Sequence, residues 1–157
     1  LLCTLVLSIA GCGKKEEPKA TTPAPAAQLA DKPRVRETNV AGVVAELTEC
    51  KRKDGVLTVQ IRLRNTGTKP IVVYPVTSNN YDAYYVIAED KKYFVLRDED
   101  KTPLAPPINP SGSIFVSLAP EGTWLWWAKY PAPPAAVKAI NYITSLAGPF
   151  DAIPISD

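Results

Sequence analysis

A chain of 157 residues, 46% hydrophobic and 22% charged, is long enough for one folded domain with its own core. Its 18 basic and 16 acidic side chains leave a net charge of +2, without the basic excess a nucleic-acid footprint needs, so no nucleic-acid partner is expected. The absence of histidine removes the commonest general base and the commonest metal ligand, and 16 prolines, about twice the ordinary ~5%, favour edges, turns and linker over helix interiors.

The chain opens on an apolar run, Leu1 to Ala10, broken only by Cys3, Thr4 and Ser8. A spanning helix needs about 20 apolar residues, so this run is too short to cross a bilayer and fits the apolar region of a secretory signal. It begins without Met or a basic start, so part of the signal is expected to be missing. Ile9, Ala10 and Gly11 precede Cys12, and Lys14, Lys15, Glu16 and Glu17 follow almost at once. Ile9-Ala10-Gly11-Cys12 resembles the lipobox of bacterial lipoproteins. The resemblance implies cleavage before Cys12 and acylation there, palmitate-type chains on its sulfur and amine providing the membrane anchor. Each buried methylene contributes about 0.8 kcal/mol, so two or more chains hold where one is marginal. In that family an aspartate after the cysteine marks inner-membrane retention. Gly13 stands there instead, which implies the outer membrane if the organism has one, with the domain facing the periplasm or the cell surface.

From Gly13 to about Asn39 the sequence is dense in Pro, Ala, Lys, Glu and Thr and poor in large apolar residues. Such a stretch buries too little surface to offset its ordering entropy and is expected to be a flexible tether. The expected organisation is a cleaved signal segment over 1–11, a lipidated cysteine and linker over 12–39, and a domain over 40–157.

Beyond Asn39 the pattern changes. Val43, Ala45 and Leu47 share one side of a strand that leads to Asp54-Gly55, a strong two-residue hairpin signal. Leu57, Val59, Ile61 and Leu63 then alternate with Thr58, Gln60, Arg62 and Arg64, the mark of a half-buried strand. Asn65-Thr66-Gly67 turns the chain into "IVVY", and "YDAYYVIA" alternates again. "YFVLR", the run "SIFVSL" behind a Pro-rich loop, "TWLWWAKY", "AVKAINYI" and "DAIPI" complete eight or nine short strands. The one stretch where a short helix competes, "AAVKAI", carries Val137, Ile140 and Tyr142 nearby, which favour strand. The expected fold is an all-β antiparallel sandwich, with a small closed barrel as the alternative.

"DGVLTVQIRLRNTGTKPI", "KKYFVLRDEDKTPLA" and "WWAKYPAPPAAVKAINYITSLAGPFDAIPIS" together resemble immunoglobulin-like extracytoplasmic domains of bacterial lipoproteins. Similar domains also stand ahead of the peptidoglycan-binding domain in some OmpA-like envelope proteins. The resemblance covers most of Val40 to Ser156. It implies an Ig-like sandwich without assigned catalysis. The chain departs from it at Lys101, where a glycine often follows the aspartate turn.

Each cluster of reactive side chains has an ordinary structural explanation. Cys50, the one cysteine past the lipobox, reads as a small buried side chain. Asp98, Glu99 and Asp100 read as a solvated turn, because Arg97, Lys101 and Lys91 balance them and the spacing of a calcium loop is missing. No Gly-x-Ser-x-Gly, P-loop or dinucleotide glycine pattern occurs, so neither an enzyme activity nor a metal or other cofactor is expected. The aromatic strand is the exception. Trp126 and Tyr130 flank Ala128 on one parity and point to the core. Trp127 shares the other parity with Lys129, which must reach water. Trp127, Lys129 and Trp124 are therefore the candidate ligand or partner surface. The expected function is a lipid-anchored envelope protein with a non-catalytic interaction module. A domain binding glycan or peptidoglycan through exposed aromatics is the alternative, and an enzyme using acidic residues alone is a third reading.

Overall fold

The computed structural model describes residues 34–157. The expected signal segment, the expected lipobox at Ile9, Ala10 and Gly11, the expected lipidation site at Cys12 and the stretch read as tether up to residue 33 lie outside the described residues. The described residues form ten strands and no α-helix: β1 (Arg34–Glu37), β2 (Val43–Lys53), β3 (Val56–Asn65), β4 (Ile71–Val76), β5 (Tyr85–Ala88), β6 (Lys91–Phe94), β7 (Ile114–Leu118), β8 (Thr123–Pro131), β9 (Ala139–Ile143) and β10 (Phe150–Pro154). All pair antiparallel, in the orders β1-β2-β3-β8 and β10-β9-β5-β6, with β4 and β7 forming a two-stranded arm.

The first sheet follows from the alternation. Leu57, Val59, Ile61 and Leu63 of β3 are all buried, as expected. Asp54 and Gly55, both at positive φ (50° and 77°), close the β2–β3 hairpin in the left-handed turn that matches strand twist. Strand β2 carries a feature that alternation alone does not give. A bulge between Leu47 and Glu49 shifts the register. An inserted residue reverses which side chains face in, so Cys50 joins Val43 and Ala45 in the core.

The fold also begins earlier than the expected boundary at 40. The four residues of β1, within the stretch read as linker, pair with Val44 to Leu47 of β2. The side chains of β1 then reach the other sheet. Arg34 Nη1 donates to the carbonyl of Asp151, Arg36 Nε donates to the carbonyl of Pro149 at 3.0 Å, and the Arg36 guanidinium lies 5.6 Å from the Phe150 ring centroid. These contacts join the edges β1 and β10. On the opposite side the chain leaving β6 crosses to the edge of β8. There Leu96 N donates to Lys129 O (2.8 Å) and Lys129 N donates to Leu104 O (3.0 Å).

The buried apolar side chains of both sheets and the arm, Val44 apart, belong to one cluster. Trp126 sits at its centre. Its ring stacks on Tyr84 at 4.0 Å between centroids, and its Nε1 donates to the Tyr142 hydroxyl at 2.9 Å. The Tyr142 and Tyr130 hydroxyls are 2.8 Å apart, and Tyr81 and Tyr84 donate to the carbonyls of Pro106 and Pro75. Every buried hydroxyl and the indole N–H thus has a partner, which a dry core requires. One local expectation is corrected: "YDA" at Tyr81–Ala83 is a 3-10 turn, not strand, and the strand begins at Tyr85.

A buried asparagine holds the arm to the first sheet. Asn65 ends β3 fully buried. Its side-chain amide donates to the carbonyls of Lys69 (2.8 Å), Leu118 (3.0 Å) and Ala119 (3.1 Å), and its Oδ1 accepts from Gly67 N at 2.8 Å. The β3–β8 pair therefore turns a corner at Asn65 and continues as β4–β7.

Candidate interaction face

The solvent face of the first sheet is a regular grid. Register sets Glu46, Arg62 and Leu125 in one row, Glu49, Gln60 and Trp127 in the next, and Lys51, Thr58 and Lys129 in the third. Strand alternation puts these side chains on one face because their neighbours Val59, Ile61, Trp126, Ala128 and Tyr130 are buried on the other.

Charge on this face is organised by Glu46. Its Oε1 accepts from Arg64 Nε at 3.2 Å, its Oε2 lies 3.2 Å from Arg62 Nε in an ion pair, and Arg64 Nη1 also lies 3.6 Å from Glu121. Beside these ion pairs lies a shallow open depression of about 520 Å³, lined by Thr48, Gln60, Arg62, Thr123, Trp124 and Leu125. Leu125, 44% exposed, gives this depression an apolar side chain beside the ion pairs.

The structure brings Trp127 and Lys129 together on this face: Trp127 is half-buried opposite Gln60, and Lys129 is exposed opposite Thr58. Trp124 is turned the other way. It packs half-buried against the core, with its ring 6.4 Å from Trp126, and still lines the depression. The strand periodicity contains this split, since 124 shares parity with 126 and not with 127.

Three exposed aromatics lie outside the sequence-derived set. Tyr74 of β4 and Phe115 of β7 have ring centroids 6.5 Å apart on the arm, and Phe94 of β6 lies 5.9 Å from Tyr85 of β5. Lys92 Nζ sits 4.6 Å from the Tyr85 ring centroid, a cation over an aromatic face. Register extends the second pair into the row Ile143, Tyr85, Phe94 on the solvent face of the second sheet. The signal for Tyr74 was its parity with Val72, opposite the buried Val73. The pairing with Phe115 was not readable, because 41 positions separate the two.

Interior polar groups offer little chemistry. Burial, the largest cause, pushes the Tyr84, Tyr130 and Tyr142 hydroxyls well above the ordinary tyrosine range, so each stays neutral. Burial, then the charge of Glu49, pushes the Cys50 thiol up to about 12 against a smaller opposing effect of Arg52. A thiol held protonated is a poor nucleophile. The void between Ile61, Leu63, Tyr84 and Trp126 is only about 10 Å³, the size of a single water. Among the described residues no group of three His, Cys, Asp or Glu side chains is placed to hold a metal ion. In the Asp98–Asp100 turn, Asp98 instead accepts from Thr102 N at 2.8 Å. No helix among the described residues is long and apolar enough to cross a membrane. No family model, curated protein or solved structure matches the chain.

Proposed function

We propose that this chain is a lipid-anchored cell-envelope protein, held by acyl chains on Cys12, whose immunoglobulin-like β-sandwich is a non-catalytic interaction module. The observation that carries the module reading is the solvent face of the first sheet. Leu125 and Trp127 are apolar contacts set beside the ion pairs on Glu46, and an apolar anchor with a polar rim is what protein recognition uses. The anchor rests on the Ile9-Ala10-Gly11-Cys12 motif and the polar switch after it. The partner is an envelope protein. A photo-cross-linker at position 127, in cells, is expected to trap one discrete adduct in the membrane fraction. A ladder no different from that given by a cross-linker at Asp54 would remove the role of the face. Cys12→Ala is expected to shift the protein out of the membrane fraction and abolish fatty-acid labelling.

A second reading, glycan or peptidoglycan binding, draws on the row Ile143, Tyr85, Phe94. Adjacent rings with a lysine and Asn141 at their border offer stacking together with hydrogen-bond donors. Retention on isolated peptidoglycan that is lost in Phe94→Ala would favour it over the first. The third reading, catalysis by acidic residues alone, has no supporting observation.

A further inference from the structure

The β4–β7 arm carries an apolar patch on two strands that hold no charged residue. Val72, Tyr74 and Phe115 are 48%, 56% and 59% exposed. They project from the side of the arm opposite the buried Val73, Val76, Ile114 and Leu118. The flanking sequence is almost free of charge. Lys69 is the only charged residue between Thr66 and Asn80, and none occurs between Thr102 and Glu121. The residues next to these strands in sequence are neutral and polar, Thr77, Ser78 and Asn79 after β4 and Ser111 and Ser113 before β7, and Ser117 is exposed on β7 itself. A chain with 22% charged residues thus keeps charge out of the two strands that carry this pair of rings.

We infer that this patch seats the domain on the surface of a lipid bilayer, with the Tyr74 and Phe115 rings at the level of the headgroups. The inference rests on the lipid-anchor reading and extends it from a tether to a defined orientation. Three observations select a bilayer as the occupant. The first is size. Aromatic side chains carry roughly 150–250 Å² each, so the two half-exposed rings with the smaller Val72 offer about 300 Å², short of the roughly 450 Å² of apolar area per partner in a stable protein interface. A second copy would therefore need more surface than the patch supplies, whereas a bilayer needs only apolar rings with a neutral polar border. The second is charge. The first sheet's face would have to desolvate Glu46, Glu49, Lys51, Arg62 and Lys129 to lie on lipid, whereas β4 and β7 themselves carry no charged residue.

The third is reach. Arg34 follows Cys12 by 22 residues, which at ~3.3–3.6 Å per residue caps the connection at about 75 Å. A domain of this length has a diameter of roughly 35 Å, so the arm can meet the membrane that holds the anchor wherever the chain enters the fold. A local concentration of this kind makes a small patch effective that would bind weakly from solution.

Full-length chain carrying Phe115→Trp tests the inference on vesicles of phosphatidylethanolamine and phosphatidylglycerol, with bromine on the acyl chains or without it. The emission that the substitution adds to the parent protein is expected to lose most of its intensity with brominated lipid, and to recover when Val72→Ser and Tyr74→Ser are added. Acylation of Cys12 is read separately by mass spectrometry. An acylated chain without quenching overturns the patch and leaves the anchor. Quenching in an unacylated chain keeps the patch and removes the anchor, and neither signal removes both. Cross-linking between two copies at position 115 without quenching assigns the patch to self-association and overturns the inference.

Discussion

The solvent face of the first sheet and the solvent face of the β4–β7 arm are built on the same paired strands, yet they present opposite chemistry. Strand β3 becomes β4 and β7 becomes β8 around the corner at Asn65, so the two faces are successive stretches of one ribbon. On one side of the corner Glu46 joins Arg62 and Arg64, and Lys51 and Lys129 extend the charge. On the other side Val72, Tyr74 and Phe115 are exposed on strands that carry no charged residue. The corner thus separates a face suited to a charged partner from one suited to a neutral apolar surface. Strand pairing does not dictate outward side chains, so function is free to choose them.

Both faces depend on one core, and the largest effects come from removing it. Trp126→Ala is expected to destabilise by about 3–5 kcal/mol, the cost of emptying a buried aromatic site. Denaturant unfolding measures it, and the loss should appear equally in probes on β3 and on β4. Alkaline pH acts on the same core. Buried Tyr84, Tyr130 and Tyr142 and buried Cys50 have raised folded pKa values. Their neutral forms are favoured in the folded state. The stability they contribute is whole below the unfolded values, about 8.5 for thiol and 10 for tyrosine, and is lost as pH rises toward the folded ones. With no histidine in the chain, the neutral range should be flat in this respect. Stability should begin to fall above about pH 8.5 and steepen above about pH 10, each group adding up to ~1.4 kcal/mol per pH unit. Cys50→Ala should remove only the first part of that fall.

Asn65→Ala separates the faces. It leaves the carbonyls of Lys69, Leu118 and Ala119 without their side-chain donor, at a cost of about 1–3 kcal/mol. Amide exchange should quicken in Ile71–Val76 and Ile114–Leu118 more than in β2 and β3. Uniform acceleration would mean the corner does not divide the ribbon. Glu46→Ala is smaller, up to ~1 kcal/mol, because Arg62 and Arg64 are substantially exposed and surface pairs are screened. Its effect should shrink in high salt, a sensitivity the arm lacks.

How much of this was legible varies with the range of the interaction. The β3 alternation, the Asp54-Gly55 turn and the parity of Trp126, Trp127 and Tyr130 are properties of neighbouring residues, and the structure places them as the sequence pattern predicts. The bulge that turns Cys50 inward has no local signature. Strand β1 reads as linker because its short "RVRE" is polar. Its place depends on β2 and on arginine contacts to Pro149 and Asp151, more than a hundred residues away. Tyr74 and Phe115 were readable as strand residues but not as neighbours, so the sequence pointed to Trp124, Trp127 and Lys129 as the exposed surface, and of these Trp124 packs against the core.

The smallest expected change in stability belongs to Trp127, and it bears most directly on the first face. Trp127 is half-buried on the side of β8 that faces water, and it is absent from the packed cluster that includes Trp124 and Trp126. Its neighbours in register are Gln60 and, beyond it, Glu49, both able to remain hydrated if the indole is removed. Trp127→Ala should therefore leave the melting temperature within a few degrees, the range of a surface change that costs up to ~1 kcal/mol in a domain of this size. If the face recognises an envelope partner, the same variant should lose the adduct trapped from a neighbouring position such as Lys129, since a half-exposed tryptophan is the side chain most suited to anchor such a contact. A melt lowered as far as that of Trp126→Ala would make Trp127 a structural residue. An unchanged adduct with an unchanged melt would leave the charged lattice, and not the indole, as the recognition element.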